Sequence, residues 1–153
     1  MRIVAMSDSH NHKGDLFDIV EMHKNDADLF IFLGDGEDDI EDILIMYPDL
    51  RLEIVAGNCD FYSTKPVYKE ISFGGKKVFF SHGHPFYVKH GYERIIDEAK
   101  KRGADIVLFG HTHNQYTEYG NELCIMNPGA VANGRYGMID FVNNQIMLIP
   151  CKL

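Results

Sequence analysis

Five apolar runs in this chain end in residues that can bind metal ions. Ile3-Val4-Ala5-Met6 leads into Ser7-Asp8-Ser9-His10, and the run 29–33 leads into Gly34-Asp35. The run 52–56 precedes Gly57-Asn58, the run 77–80 precedes Ser81-His82, and the run 105–109 precedes Gly110-His111-Thr112-His113. Each has an ordinary explanation when taken singly: Asp8 or Asp35 as a helix cap, Asn58 as a turn residue, His82 as a satisfied core histidine. Five in phase point to one shared site. In α/β sheets, ligands collect beyond the carboxyl ends of parallel strands, where residues distant in sequence meet. Small residues precede the candidates, three of them glycine, so the backbone can turn sharply and approach a bound group closely. In extended chain His111 and His113, two residues apart, point the same way, so their imidazoles are expected to converge.

Oxygen and imidazole donors without thiolates suit Mn, Fe, Ni or Zn. Seven candidates, Asp8, His10, Asp35, Asn58, His82, His111 and His113, are too many for one catalytic ion and would furnish two, which a carboxylate can bridge.

The elements that must position these residues alternate in the first half of the chain. Residues 2–6 read as a strand and 13–24 as a helix with Leu16, Ile19, Val20 and His23 on its core face. Strands at 29–33 and 51–56 flank a helix whose acidic start, 37–42, suits the positive end of the helix dipole and reads as a solvated helix start. After Pro66 the rhythm changes to hairpins, with Gly74-Gly75 and Asn143-Asn144 as turn signals. A third helix over 91–103, closed by Gly103, leads into the strand 105–109, and the tail carries further short strands.

Composition narrows the function classes. At 153 residues and 45% hydrophobic content, one globular domain over 1–153 is expected. No apolar run approaches the roughly 20 residues that span a bilayer, and the first residues do not read as a secretory signal, so a cytoplasmic protein is expected. Cys59, Cys124 and Cys151 are odd in number and lack CxxC spacing, which disfavours a disulfide framework or a thiolate zinc module. The net charge of −8 disfavours an extended nucleic-acid surface.

The order Asp8-x-His10, Gly34-Asp35, Gly57-Asn58, His82, Gly110-His111-x-His113 resembles the calcineurin-like metallophosphoesterases. Short length, "GNCD" at 57–60 and "NPGA" at 127–130 are similar to their small single-domain bacterial and archaeal phosphodiesterase branch. The resemblance implies an α/β fold: a four-layer α/β/β/α sandwich of two facing mixed sheets flanked by helices. It also implies two divalent ions per chain, Mn above all, with Ni, Fe, Zn or Mg as alternatives. Asp8, His10, Asp35 and His113 would hold the first ion. Asp35 would bridge to a second, held also by Asn58, His82 and His111. Two ions about 3.5–4 Å apart clamp phosphate oxygens while a bridging water attacks in line.

The chain departs from the family at Cys59, where larger relatives carry a histidine that contacts phosphate and protonates the leaving group. A thiol is a poor replacement. His84 or His12 is then the candidate acid, and Asp60, freed from orienting that histidine, is expected to be structural. The loop 85–92 is a candidate substrate flank and Arg135 a candidate phosphate contact. The expected partner is a small phosphodiester, with homo-oligomers left open. A phosphomonoesterase or a non-catalytic interaction scaffold of the same fold are the alternatives.

Overall fold

Residues 3–6, 29–32 and 106–109 are apolar at every position rather than at alternate ones, the pattern of strands covered on both faces. The computed structural model, which describes residues 1–153, bears this out. In chain order the elements are β1 (Arg2–Met6), α1 (Lys13–His23), β2 (Leu29–Phe32), α2 (Glu37–Met46), β3 (Leu52–Ile54), β4 (Tyr68–Phe73) and β5 (Lys76–Ser81). There follow α3 (Glu93–Lys101), β6 (Ile106–Phe109), β7 (Tyr116–Tyr119), β8 (Cys124–Asn127), β9 (Arg135–Val142) and β10 (Gln145–Lys152). One-turn helices at His84–Phe86 and Val131–Asn133 carry no clear sequence signal.

One sheet has the order β10-β9-β1-β2-β3 and the other β4-β5-β6-β8-β7. Strands β1, β2 and β3 pair in parallel, as do β5, β6 and β8, while β9, β4 and β7 join them antiparallel. Both sheets are therefore mixed.

Three cores define the layers. Ile3, Ala5 and Ile31 of the first sheet meet Val78, Phe80 and Leu108 of the second in the central core. The alternate residues Val4, Met6, Phe30 and Phe32 pack outward against Leu16 and Ile19 of α1 and Ile40 and Ile43 of α2. Phe79, Val107 and Phe109 pack against Ile95 and Ala99 of α3. Each such side chain contributes about 1.5–3 kcal/mol when fully buried. The result is the α/β/β/α sandwich expected.

The hairpin turns also match: Gly74-Gly75 and Asn143-Asn144 have φ of 58°, 76°, 50° and 64°, the positive values a two-residue loop needs to match strand twist. Gly103, at φ 66°, ends α3 as expected. Neither Asp8 nor Asp35 caps a helix; the cap positions of α1 and α2 are His12 and Gly36, without side-chain cap bonds. No helix is long and apolar enough to cross a membrane.

The carboxyl ends of the two parallel sets meet at one place. His82, after β5, bonds through Nδ1 to the Leu33 carbonyl after β2 at 2.8 Å. The Asp8 N–H, after β1, donates to the Gly34 carbonyl at 2.9 Å.

Candidate metal centre

Six of the seven expected ligands come together at that junction. Asp8, His10 and His113 bring one donor atom each within 4.8 Å of one another, and so do Asp35, His82 and His111. The two groups touch. Asp8 Oδ1 lies 3.1 Å from His113 Nε2, 3.7 Å from His10 Nε2 and 3.8 Å from His82 Nε2. Asp35 Oδ2 lies 3.3 Å from His82 Nε2 and 3.9 Å from His10 Nε2. Asn58 is the exception: its side chain is exposed and bonds only to Cys59 Sγ, at 3.3 Å.

His111 and His113 do not converge as an extended chain would have them. Both are left-handed, at φ 68° and 60°, and their rings part. His111 Nδ1 faces His82 Nε2 at 3.1 Å, while His113 Nε2 faces His10 Nε2 at 3.3 Å. Asp8, His10 and Asp35 are left-handed too, so five of the nine non-glycine residues with positive φ belong to this cluster. Such conformations gather where function demands them and the surroundings hold them in place.

The glycines beside the ligands are there for space. A Cβ on Gly57 would lie 2.8 Å from Asp35 Cγ, and one on Gly110 would lie 2.8 Å from Asp8 Oδ2.

Asp8 supplies the test of whether a cation fits. The residue is fully buried, and its Oδ2 accepts from Ser7 Oγ at 2.5 Å and from the His111 N–H at 3.0 Å. Its Oδ1 has no hydrogen-bond partner. A buried carboxylate oxygen without a partner is costly, and here it is ringed by imidazole nitrogens. His82 adds a second sign: with Nδ1–H donated to the Leu33 carbonyl, the ring is oriented so that Nε2, the atom a metal-binding imidazole presents, faces the cluster. The donor set fits divalent ions.

Residues 1–142 match the calcineurin-like phosphoesterase superfamily domain. The chain belongs to that superfamily. It is 30% identical over 132 residues to the probable metallophosphoesterase YsnB of Bacillus subtilis, covering 86% of this chain and 75% of YsnB. It is 25% identical over 146 residues to the phosphodiesterase MJ0936 of Methanocaldococcus jannaschii, covering 84% of this chain and 83% of that one. Vps29 of Chaetomium thermophilum shares the fold, with a TM-score of 0.75 at 16% identity over 100% of this chain and 95% of that one.

Charge in this phosphoesterase site is set by its neighbours. Burial alone would raise the Asp35 carboxyl, but its bond to His82 and the Cys59 N–H at 2.7 Å hold it well below the carboxylate range. Burial pushes His82 down; Asp35 and Asp8 more than offset this and leave it raised. Burial, and then the charge of His82, bring His111 down to about 4, so its lone pair is free at neutral pH. Burial and then Asp35 push the Cys59 thiol up to about 11. That makes it a weaker acid than an ordinary thiol.

The remaining candidates divide. Asp60 is structural: its two oxygens accept the backbone N–H groups of Asp35 (2.8 Å), Gly57 (2.7 Å), Gly36 (2.9 Å) and Glu37 (3.0 Å). His84 sits beside the cluster, its ring 5.5 Å from that of His82, with Nδ1 buried and unpartnered. Burial and the His82 charge lower its pKa. His12 is exposed at the start of α1. Arg135 is held by Gln115 Oε1 at 3.2 Å. The 85–92 loop does not line the cleft beside the cluster, a space of about 440 Å³ bounded in part by His10, Asp35 and Cys59, although its Lys89 is near enough to help lower His111.

Two features escaped the sequence reading. Residues 37–42 are no plain solvated helix start, since Glu37, Asp38, Asp39 and Glu41 line that cleft and Asp39 is buried. Asn127 is fully buried and holds the His111 loop, donating to the Gly110 carbonyl at 2.9 Å and Thr112 Oγ1 at 3.0 Å. Its signals were a place at the end of a strand, like the ligands, and the "NPGA" motif that it opens, neither of which gave it this role.

Proposed function

We propose that this phosphoesterase hydrolyses phosphodiesters, with two divalent ions, Mn foremost, held by Asp8, His10, Asp35, Asn58, His82, His111 and His113. The observation that carries the reading is Asp8 Oδ1, buried and unpartnered among the nitrogens of three histidines. Divalent ions bound there supply positive charge for phosphate oxygens and lower the pKa of water. Asp8 and Asp35 offset that charge, and the bridging role assigned to Asp35 is supported by its Oδ2 lying 3.3 Å from His82 Nε2 in its own group and 3.9 Å from His10 Nε2 in the other. His82 is held by the Leu33 carbonyl with Nε2 turned inward. Asn58, next to the cluster, is assigned to the second ion and to orienting phosphate, for which its Oδ1 must turn inward.

Leaving-group protonation is the weak point. Cys59 keeps its proton too firmly to pass it on, and His84, mostly neutral near pH 7, serves as a hydrogen-bond donor to phosphate rather than as a strong acid. A diester with a stable leaving group suits such a site. A monoester brings a second negative charge to a cleft without a single Lys or Arg. One phosphoesterase unit spans the chain in this reading.

The test is metal analysis with parallel assays on bis(p-nitrophenyl) phosphate and p-nitrophenyl phosphate. Two ions per chain and faster diester cleavage are expected. Mn at a hundredfold its Kd should stabilise by about 2.7 kcal/mol, a rise in Tm of about 8 °C for a chain of this length. Asp35→Asn should lower kcat/KM by more than about a hundredfold. One ion or none after saturation, or near-normal turnover in Asp35→Asn, overturns the reading.

A further inference from the structure

The wall of the cleft beside the metal cluster is unusual for an enzyme of anionic substrates. Besides Asp35 and Asp60 it carries Glu37, Asp38, Asp39 and Glu41 from the first turns of α2, and it contains no Lys or Arg. Compensation of the helix dipole accounts for acids in a first turn. It does not account for Glu41, one turn on, and Asp60 already accepts the Gly36 and Glu37 N–H groups there.

Asp39 gives the more specific sign. It is only 1% exposed; its Oδ2 accepts from Ser9 Oγ at 2.6 Å and the Asn11 N–H at 2.9 Å, while Oδ1 has no partner. An unpartnered carboxylate oxygen buried just behind the wall of a cleft favours positive charge in the cleft. The other part of the wall presents Phe61 and Tyr62, 83% and 99% exposed. Aromatic faces next to carboxylates form the setting that holds alkylammonium groups, through the ring quadrupole and through charge.

We infer that the cleft selects phosphodiesters in which one alcohol carries an alkylammonium group, of the choline or ethanolamine kind. The inference rests on the phosphodiesterase reading above. The phosphate lies at the donor cluster, and the ammonium lies in the adjoining space against Glu37, Asp38 and Glu41, with the buried carboxylate of Asp39 behind them and Phe61 and Tyr62 beside it. Hydrolysis adds the oxygen of water to phosphorus and breaks one ester P–O bond, and the departing oxygen takes up a proton. The ammonium group only binds. The same wall repels substrates with further negative charge, such as monoesters and nucleoside polyphosphates.

Three p-nitrophenyl phosphodiesters with one shared leaving group test this on the Mn-loaded protein: the choline ester, its uncharged 3,3-dimethylbutyl isostere and a carboxypropyl ester. The choline ester should exceed the isostere at least tenfold in kcat/KM, mainly through KM, and the carboxypropyl ester should be the slowest. In Glu37→Gln/Asp38→Asn/Glu41→Gln the choline-to-isostere ratio should fall towards one. Removal of three charges elsewhere, in Asp49→Asn/Glu118→Gln/Glu122→Gln, should keep it. A ratio near one in the unaltered protein, or one that survives the cleft substitutions, overturns the inference. Should none of the three be hydrolysed, the phosphodiesterase reading falls, and calorimetry with phosphocholine against 3,3-dimethylbutyl phosphate still decides the cleft. Binding at least tenfold tighter for phosphocholine upholds it, and equal affinities overturn it.

Discussion

Removing the Asp60 carboxylate should loosen the candidate site and destabilise the fold together. Asp60 accepts four backbone N–H groups from two loops, with N···O distances of 2.7–3.0 Å. Hydrogen bonds to a charged group contribute about 1.5–3 kcal/mol each, which would sum to about 6–12 kcal/mol if all four donors were left dry. Asp60 is only half-buried, so water reaches some of them in Asp60→Ala. A loss of about 3–4 kcal/mol is expected, or about 10 °C in Tm for this chain length. Asp60→Asn should fall between, because one amide oxygen can serve two donors while its NH₂ faces the others. The pH dependence has a definite sign. Burial would raise the Asp60 carboxyl, but the four donors outweigh it and hold the group below its ordinary value. Its contribution is therefore whole above the unfolded-state value near 4 and is lost as pH falls through the lower folded value. Urea titrations of metal-free protein from pH 7 down should show the gap between wild type and Asp60→Ala closing below about pH 4. Since the Asp35 N–H is one of the four, Mn affinity at pH 7 should also drop by about tenfold. A variant within 1 kcal/mol of wild type, or a gap independent of pH, would refute the assignment of Asp60 as the clamp of the two loops.

Two other substitutions probe the same region. A Cβ on Gly34, at φ +101°, would stand 2.7 Å from the Gly57 Cα and closer still to its amide nitrogen, whereas one on Gly75, at φ +76°, meets open space. Gly34→Ala should therefore cost more than about 3 kcal/mol and Gly75→Ala only about 1–2 kcal/mol, as compared by urea unfolding; equal costs would mean that the loops after β2 and β3 can part freely. Cys59→His should raise turnover most for diesters with poor leaving groups and change nitrophenyl esters little. A uniform effect across a leaving-group series would show that position 59 acts through shape.

The seven candidate ligands stood out in the sequence because coordination demands particular side chains, and these fell at the same point, the carboxyl end, of five apolar strands. The layers were equally open to reading: Val4 and Met6 face α1 and α2 while Ile3 and Ala5 face the second sheet, so the strand had to be apolar throughout. What stayed hidden depends on contacts between loops. The acids of 37–42 looked complete as a helix start, and only the presence of residues 59–63 across the chain turns them into the wall of a cleft. Asp60 could not be weighed without knowing that Asp35, Gly36 and Glu37 would aim their N–H groups at it.

The left-handed ligands were the least foreseeable, and they bear on how the site is held. Asp and His occupy that region at some cost, up to about 1–2 kcal/mol per residue. Five such residues together cost several kcal/mol, a sizeable part of the stability of an ordinary domain. Bonds between the loops oppose this: Asp8 N–H to the Gly34 carbonyl, His111 N–H to Asp8 Oδ2, His82 to the Leu33 carbonyl, Asn127 to the Gly110 carbonyl. Each ties a ligand turn to the end of a different strand or to the turn that follows it, so no ligand turn can relax without breaking such a bond. The chain itself thus sets the donor positions. A bound cation then acts mainly on the charge and the unpartnered oxygen of Asp8, which is why metal should raise the melting temperature of a protein that is already folded without it.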